Sequence, residues 1–182
     1  ARALAAEGAN VTIVARHAEE LKLAGQRLRS EVGNQQVLEV AADLSDETDI
    51  ANVVSQTRNR WGRIDIVINN LGGPPPGLPS ELTDDQWATG FDLNFYSAVR
   101  MNRLVLPLMI PQQFGRIISV LSLSIKEPED NLALSTVARM ATASYNKQLA
   151  TEVAKQGITV NTILPGSIET DRLKVVAEMQ AR

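Results

Sequence analysis

Short apolar runs alternate along the chain with longer segments in which apolar residues recur every three or four positions. The short runs are rich in valine and isoleucine, as is typical of strands buried on both faces of a parallel sheet. The longer segments have the spacing of amphipathic helices. The pattern predicts strands over 10–15, 36–41, 64–69, 115–121 and 158–164, and helices over 18–32, 46–61, from 83 toward 109, and over 133–156. This alternation predicts an α/β fold, a doubly wound parallel sheet in one domain spanning 1–182.

Residues at the helix ends support these boundaries. Glycine follows three of the predicted helices, at Gly33, Gly62 and Gly157, and glycine readily adopts the left-handed conformation of a helix C-cap. Ser45 is the predicted N-cap of the 46–61 helix. The segment 83–86, Thr-Asp-Asp-Gln, has the form of a capping box and opens the long helix.

Both ends of the chain have the pattern of interrupted elements. Residues 1–7 have the pattern of a helix end, which Gly8 terminates, and seven residues are too few for a helix to be stable alone. Residues 171–182 have the pattern of a helix that begins without an obvious stop. We therefore expect this chain to be an internal piece of a longer domain.

The composition excludes several classes of site. Lys and Arg number 18 against 21 Asp and Glu, a net charge of −3, and such a balance argues against a nucleic-acid partner. There is no cysteine and only one histidine, so we expect no disulfide, no cysteine nucleophile and no metal site. No apolar run approaches the roughly 20 residues of a membrane helix, and no signal peptide opens the chain. We expect a cytoplasmic protein without a membrane partner.

Polar and glycine-containing motifs follow the predicted strands, at the sheet edge where doubly wound folds bind their ligands. Asn-Asn-x-Gly occupies 69–72, and Gly-Arg-Ile-Ile at 115–118 is followed by Ser122. Val-Asn at 160–161 leads into Pro-Gly-x-Ile-x-Thr at 165–170. Each motif is weak alone, whereas their order and spacing together are specific.

Together these motifs resemble the short-chain dehydrogenase/reductase family over nearly the whole chain. Within that family they are most similar to the 3-oxoacyl-(acyl-carrier-protein) reductase-like group. The Gly-Gly-Pro-Pro-Pro-Gly loop at 72–77 indicates an atypical branch.

The resemblance implies a Rossmann-like sheet with the strand order 3-2-1-4-5-6-7. It places the central first strand and a phosphate-binding Gly-x-x-x-Gly-x-Gly turn before Ala1, and the last strand after Arg182. We therefore expect a truncated sheet in which a gap or a foreign segment lies between the strands at 10–15 and 64–69. We also expect no intact pyrophosphate site.

The resemblance also implies a dinucleotide site. Where NAD-selecting members carry an acidic residue, this chain has Ala15 followed by Arg16, which favours NADP over NAD because a guanidinium binds a phosphate bidentately. The alternative for Arg16 is a solvated loop arginine. Asp43 matches the aspartate that contacts the adenine, and its alternative is a carboxylate that stabilises a helix start. The cofactor-binding residues that the resemblance implies are Arg16, Asp43, Leu44, Asn70, Gly72, Arg139, Pro165, Gly166, Ile168 and Thr170.

One polar residue lies within an apolar helical stripe. The stripe comprises Trp87, Phe91, Asn94, Ala98, Met101 and Val105. A buried amide without a hydrogen bond costs roughly 1–3 kcal/mol. Asn94 is therefore either a structural residue that ties the helix to a strand or, as the resemblance implies, the catalytic asparagine that holds a proton-relay water. Ser122 matches the serine that hydrogen-bonds the substrate carbonyl, with Ser124 as the nearby alternative.

The resemblance also shows that the family's general acid is replaced. Alignment from Ser122 and from Asn161 puts the tyrosine of the Tyr-x-x-x-Lys motif at Ser135 and its lysine at Arg139. A serine hydroxyl is a far weaker acid than a tyrosine, and arginine keeps its proton. Tyr145 lies about 15 Å further along the helix and is turned away by roughly 80°, so it does not substitute. The implied catalytic residues are Asn94, Ser122, Ser135 and Arg139.

Two functions follow from the resemblance. The first is an NADP(H)-dependent oxidoreductase that reduces a small-molecule or acyl-carrier-linked carbonyl of the 3-oxoacyl type, with Ser135 or an ordered water completing the proton path. The second is a catalytically impaired member that serves as a dinucleotide-binding or subunit-interaction scaffold. Fold alone does not decide between them. The family commonly assembles through its two long helices, so a homo-dimer or homo-tetramer is expected.

Overall fold

The computed structural model describes residues 1–33, 35–70, 72–166 and 168. The chain divides into two compact units, 1–64 and 65–182, and each is described by itself. Thr170 and the predicted C-terminal helix at 171–182 lie outside the described residues. The prediction of a single domain therefore stays a prediction, as does the slot between the strands near 10–15 and 64–69.

The first unit is a two-stranded parallel sheet with its helices. The elements are α1 (Arg2–Ala6), β1 (Val11–Ala15), α2 (Ala18–Val32), β2 (Val37–Ala41) and α3 (Glu47–Trp61). β1 and β2 pair in register from Val11 with Val37 to Ala15 with Ala41. A small core of Ala5, Val11, Leu28 and Val37 lies where α1 and α2 meet the start of the strands. Each predicted strand and helix of this unit is confirmed to within two residues.

Glycines terminate the two longer helices of this unit as predicted. Gly33 and Gly62 adopt left-handed conformations, with φ of 67° and 77°. The predicted N-cap Ser45 is wrong by one residue. Asp46 caps α3, because its carboxylate accepts hydrogen bonds from the backbone N–H groups of Thr48 and Asp49.

The second unit is a three-stranded parallel sheet in the order β3-β4-β5. Its strands are β3 (Ile66–Asn69), β4 (Gly115–Val120) and β5 (Ile158–Ile163). Its α-helices are α4 (Asp84–Phe91), α5 (Ser97–Gln112) and α6 (Ala133–Val153), and short 3-10 turns cover Leu123–Ile125 and Ala154–Gln156. The parallel pairing in both units confirms the α/β class. No helix in the described part of the chain is long and apolar enough to cross a bilayer.

The predicted long helix has an interruption. Its capping box is confirmed, since Thr83 and Gln86 exchange side-chain and backbone hydrogen bonds. Between α4 and α5, however, Asp92–Tyr96 forms a π-helical turn, which is wider than an α-turn. The buried residues that follow Asn94 are Ser97, Ala98, Asn102, Val105 and Met109, whereas Met101, which the predicted stripe put on this face, is half-buried. Two further polar residues, Ser97 and Asn102, are therefore buried.

Candidate active site

The end of β4 positions Ser122. Backbone bonding continues past the strand ends, because Leu121 N donates to Ile163 O at 2.9 Å and Leu123 N donates to Pro165 O at 3.1 Å. These bonds hold the extended Ser122 beside the Pro165–Gly166 loop. The Ser122 Oγ accepts a hydrogen bond from Ser124 N at 3.2 Å. Because a backbone N–H occupies a lone pair of this oxygen, the hydroxyl proton remains available to donate.

Ser122 and Ser124 differ in access. Ser122 is half-buried, whereas Ser124 is 1% exposed. A substrate carbonyl would reach the Ser122 hydroxyl without rearrangement of the turn. The geometry therefore favours Ser122 over Ser124, and the role of Ser122 stays a prediction.

Asn94 lies on the π-helical turn and is 3% exposed. Its Nδ2 donates to Gly90 O over a long 3.4 Å, and its backbone oxygen accepts a hydrogen bond from Thr142 Oγ1 at 2.8 Å. Thr142, on α6, is the residue that sequence reasoning missed here. The Thr142 hydroxyl therefore ties α6 to the π-helical turn.

Ser135 and Arg139 face each other across one turn of α6. Arg139 Nε donates to Ser135 Oγ at 3.1 Å, and Arg139 Nη1 donates to Val120 O at 3.1 Å. Both residues are 9% exposed. The guanidinium therefore ties the first turns of α6 to the end of β4. Ser135 Oγ accepts from a cation and keeps its own proton, so it remains a hydrogen-bond donor.

A small cavity brings two of the predicted catalytic residues together. Its volume is about 10 Å³, the space of one water molecule. Asn94 and Arg139 both line it, and Ser122 and Ser135 do not. The other lining residues are Asn69, Ala98, Ser119, Val120, Leu121 and Thr142.

A row of polar residues crosses the three strands; two of them, Asn69 and Ser119, are buried and line this cavity, and the third, Thr162, is half-buried. Asn69, Ser119 and Thr162 are register partners, so their side chains share one face of the sheet. Asn69 Nδ2 donates to Asn102 Oδ1 at 3.1 Å, and Asn146 Nδ2 donates to Thr162 Oγ1 at 3.1 Å. This polar row was missed from the sequence. The signal for it is a polar residue near the carboxyl end of each of the three strands.

Predicted cofactor residues of the second unit lie on loops at the carboxyl ends of its strands. Asn70 and Gly72 are exposed just after β3. Gly166 and Ile168 are exposed after β5, with Ile168 at 62%. These are positions from which side chains or backbone reach a ligand, and their roles stay predictions.

The proline-containing loop is anchored beside α6. Gly77 N donates to Asn131 O at 2.7 Å, and Gly77 forms an isolated parallel bridge with Leu132. Leu132 immediately precedes α6, whose first turn carries Ser135 and whose second turn carries Arg139. Backbone hydrogen bonding therefore connects the loop at 72–77 to the residues that precede α6.

In the first unit, Arg16 and Asp43 are electrostatically coupled. Asp43 Oδ1 accepts hydrogen bonds from Ser45 N at 2.9 Å and Ser45 Oγ at 2.7 Å. These bonds lower the pKa of Asp43, burial partly opposes the change, and the charge of nearby Arg16 lowers the pKa further. Arg16 is exposed, and Asp43 and Leu44 are half-buried. Ser45, the wrongly predicted cap, thus fixes Asp43.

Tyr145 lies outside this arrangement. Its ring packs edge-to-face against Phe95, with centroids 6.2 Å apart. Burial is the main cause that raises its pKa above the ordinary value. A raised pKa makes the hydroxyl a weaker acid, and Tyr145 does not line the Asn94–Arg139 cavity. Both observations agree with the prediction that it does not replace the missing acid.

Comparison with known proteins decides the family. A model described as short chain dehydrogenase matches residues 1–181. The chain belongs to the short-chain dehydrogenase family. The chain is 32% identical over 138 residues to the 3-oxoacyl-[acyl-carrier-protein] reductase of Salmonella typhimurium, covering 76% of this chain and 57% of that protein. The resemblance in the motifs is confirmed.

Solved short-chain dehydrogenase structures share the fold. L-sorbose reductase from Gluconobacter frateurii, solved with NADPH and L-sorbose, is 33% identical with a TM-score of 0.92, covering 99% of this chain and 68% of that one. An NADPH-bound short chain oxidoreductase from Pseudomonas aeruginosa, described as containing an atypical catalytic center, is 26% identical with a TM-score of 0.90. That match covers 98% of this chain and 70% of the other.

The chain spans 57% of the length of the first curated short-chain dehydrogenases that it matches. The activity, cofactor, substrates and partners of the whole protein are therefore matters for proposal.

Proposed function

We propose that the protein is an NADPH-dependent short-chain reductase that converts a carbonyl to an alcohol. The observation that carries this proposal is the Ser122 hydroxyl. Its oxygen accepts from Ser124 N at 3.2 Å, so its proton is set to donate to a substrate oxygen beside the Pro165–Gly166 loop. The relatives support the reaction class, since they include reductases of 3-oxoacyl and sugar carbonyls.

NADPH is the proposed cofactor, and its chemistry is delivery of a hydride to the carbonyl carbon. The residues of the first unit fit the adenosine end. Ala15 leaves no carboxylate at the strand end, and Arg16 is an exposed cation whose field already reaches Asp43. A guanidinium there stabilises a 2′-phosphate through charge-assisted hydrogen bonds. The NADPH-bound relatives support the same choice. NAD is the weaker candidate.

Four residues of the second unit have proposed roles in binding the substrate and in proton transfer. Ser122 donates to the substrate oxygen and so stabilises the charge that develops on it. Arg139 holds Ser135 through its Nε and keeps a positive charge at the start of α6. Ser135 offers a hydroxyl proton, although as a weaker acid than a tyrosine. Asn94 borders the same cavity as Arg139, where a water would bind.

The substrate class is a small-molecule or acyl-carrier-linked carbonyl of the 3-oxoacyl type. The 3-oxoacyl-[acyl-carrier-protein] reductase relative supports this choice, at 32% identity. L-sorbose reductase supports a broader range of carbonyls, at 33% identity. A cytoplasmic location is part of the same proposal.

A homo-dimer or homo-tetramer is proposed for the assembly. A surface groove of about 470 Å³ between the π-turn and α6 is lined by Phe95, Ala141, Tyr145 and Leu149 together with the polar residues Ser144, Gln148 and Glu152. Val137 and Met140 of α6 are 41% and 50% exposed. A helix face that combines exposed apolar and polar side chains in this way fits a second copy of the chain.

The second candidate is a scaffold that binds dinucleotide without turnover. The observation that favours it is the Ser135–Arg139 pair, which supplies neither the tyrosine acid nor the lysine of the family motif. General-acid catalysis is worth about 10²–10⁴ in rate, so its loss alone would leave a slow enzyme.

The test measures NADPH and NADH binding to the whole protein, followed by NADPH oxidation with 3-oxoacyl thioesters, ketoses and cyclic ketones. Turnover that falls at least about tenfold in Ser122→Ala, with NADPH affinity retained, supports the reductase. Tight NADPH binding with no turnover on any carbonyl supports the scaffold. Failure to bind either nucleotide contradicts both.

A further inference from the structure

The segment that opens α6 is placed by contacts with other elements rather than by a cap of its own. The chain enters the helix through Asn131, which has a left-handed backbone with φ of 60°. The N-cap residue is Leu132, whose apolar side chain cannot accept a hydrogen bond from the first N–H groups of the helix. The position of the first turn of α6, which carries Ser135, therefore depends on its tertiary contacts.

Helix α4 makes a close contact with this turn through Leu134. The Leu134 side chain is 1% exposed and packs directly on the backbone of Gly90. A Cβ atom at position 90 would meet the Cγ, Cδ1 and Cδ2 atoms of Leu134, with Cδ2 at 2.8 Å. Carbon atoms of different residues pack at about 3.5–4.0 Å. A side chain at position 90 therefore fits only if the leucine or the helix moves.

The contact with Leu134 explains why position 90 is a glycine. Gly90 is buried in the last turn of α4, which continues into the π-turn. Its φ is not positive, so its backbone conformation is open to any residue. Glycine inside a helix is less favourable than alanine, because it loses more backbone entropy on folding. The close approach of Leu134 is what requires a glycine here.

The same stretch of α6 has a second attachment to the π-turn. Thr142 Oγ1 donates to Asn94 O at 2.8 Å. From 134 to 142 the helix rises about 12 Å. Ser135 and Arg139 lie along α6 between these two attachments. The Leu134 contact therefore holds the end of this stretch on which Ser135 lies.

We propose that the contact between Gly90 and Leu134 positions the Ser135 hydroxyl for proton donation to the substrate. The proposal rests on the reductase function proposed above, since it assigns a role in that reaction. Gly90 and Leu134 are positioning residues, because both are buried and act through Ser135. Leu134 directly precedes Ser135 in the chain, so a displacement of the leucine moves the hydroxyl with it.

A small displacement is enough to change the rate. Relief of a 2.8 Å approach to an ordinary carbon–carbon contact requires a movement of about 1 Å. Misplacement of a reacting group by about 1 Å can lower the rate of the chemical step by about 10²-fold. Nucleotide binding should change little, because most of the predicted cofactor residues lie on loops outside α6.

The experiment measures kcat, KM and NADPH affinity for Gly90→Ala, Leu134→Ala and the double variant of the whole protein. Gly90→Ala should lower kcat by about 10–10²-fold, because its methyl group displaces Leu134. Leu134→Ala should lower kcat by about tenfold, because the first turn of α6 loses its contact with α4.

The double variant should have a higher kcat than either single variant. It lacks the three leucine atoms that would meet the new methyl group, and that methyl group fills part of the space they leave. NADPH affinity should change less than about threefold in all three variants, against a fall in kcat of about tenfold or more in the single variants. Two independent losses of stability would add and would not produce this rescue.

Gly115→Ala is the matched control. A Cβ atom at Gly115 would meet Met109 Sδ at 2.6 Å, so this substitution also crowds a buried glycine. Gly115 begins β4, at the opposite end of the strand from Ser122. We expect lower stability and a wild-type kcat for the folded variant. An equal fall of kcat in Gly115→Ala and Gly90→Ala would overturn the positioning role.

Crystal structures of the wild type and Gly90→Ala test the displacement without any assay of activity. A shift of Ser135 Oγ by about 1 Å relative to Ser122 Oγ supports the proposal, and an unchanged position overturns it. Wild-type kcat in Gly90→Ala, or a double variant no faster than the single ones, also overturns it.

Two further outcomes keep the test decisive. If Gly90→Ala does not fold, the double variant is compared with Leu134→Ala, and a kcat that the added methyl group does not raise overturns the proposal. If the wild type reduces no carbonyl, the proposed function fails. The crystallographic shift of Ser135 then decides by itself whether the Gly90–Leu134 contact positions this residue.

Discussion

Arg139 reaches back one helical turn along α6 and donates its Nε–H to Ser135 Oγ at 3.1 Å. Motif spacing aligns these two residues with the lysine and the tyrosine of the family motif, and this alignment stays a prediction. The replacement therefore preserves a positive charge and a hydroxyl, joined by a hydrogen bond, and loses the acidity of the phenol.

Restoring that acidity is the first test. The double variant Ser135→Tyr with Arg139→Lys should raise the rate of ketone reduction by about 10²-fold or more, the scale of general-acid catalysis. The two single variants are the controls, since neither restores the pair. NADPH oxidation measures the rate. A double variant that folds, binds NADPH and gains nothing would mean that the pocket differs from the family in more than these two residues.

The choice of nucleotide depends on Arg16. The whole protein should bind NADPH more tightly than NADH. Arg16→Ala should reduce the difference between the two binding free energies by about 1–3 kcal/mol, the scale of a charged hydrogen bond. Arg27→Ala is the control, because Arg27 is an exposed arginine of α2. Calorimetric titration with NADPH and with NADH measures the two binding free energies and hence their difference. Equal affinities in the wild type would rule out this role for Arg16.

Ionisation of Asp43 should make the stability of the fold depend on pH under acidic conditions. The backbone N–H and side chain of Ser45 lower the pKa of Asp43 in the folded protein. The ionised carboxylate therefore stabilises the fold at pH values above its ordinary pKa of 3.8, and this stabilisation is lost as the pH falls through the lowered pKa. Asp43→Asn should therefore reduce the melting temperature at neutral pH, with a difference that shrinks below about pH 4. Because Asp43 is partly solvated, the difference is small.

A melting series from pH 7 to about pH 3 checks this prediction. Asp84→Asn is the control, because Asp84 is an exposed aspartate at the start of α4. A difference between wild type and Asp43→Asn that persists or grows with acid would contradict the lowered pKa.

The π-turn depends on Thr142. Thr142→Val should lower the free energy of unfolding by about 1–3 kcal/mol, because it removes the donor to the buried carbonyl of Asn94. Thr151→Val is a matched control on the same helix, since Thr151 Oγ1 also donates to the carbonyl four residues earlier but is exposed. Urea unfolding of wild type and both variants measures how much each substitution lowers the free energy of unfolding. Equal losses would show that the Asn94 contact contributes nothing.

The α/β class and the individual helices and strands could be predicted because each element carries a local signal in the sequence. Gly33 and Gly62 mark helix ends through a local left-handed backbone, and the Thr83 box needs only residues three positions apart. The N-cap of α3 was misplaced by one residue because Ser45 and Asp46 are both residue types that favour this position. In the structure Ser45 bonds the carboxylate of Asp43 instead, and Asp46 caps the helix.

The candidate site was predicted less completely. The positions of Ser122, Ser135 and Arg139 follow from motif spacing. The contact from Thr142 to Asn94 joins residues 48 apart, which no local spacing reveals. Asn102 was missed because positions 101 and 102 both follow Ala98 at helical spacing, and the apolar Met101 was assigned to the buried stripe.

The polar row of Asn69, Ser119 and Thr162 also has a consequence for how the sheet assembles. A shift of one residue along a strand would turn these side chains to the opposite face of the sheet and separate Asn69 and Thr162 from their amide partners on α5 and α6. The polar row therefore favours the observed alignment of the three strands over its nearest alternatives, because a shifted strand would leave buried polar groups without hydrogen bonds.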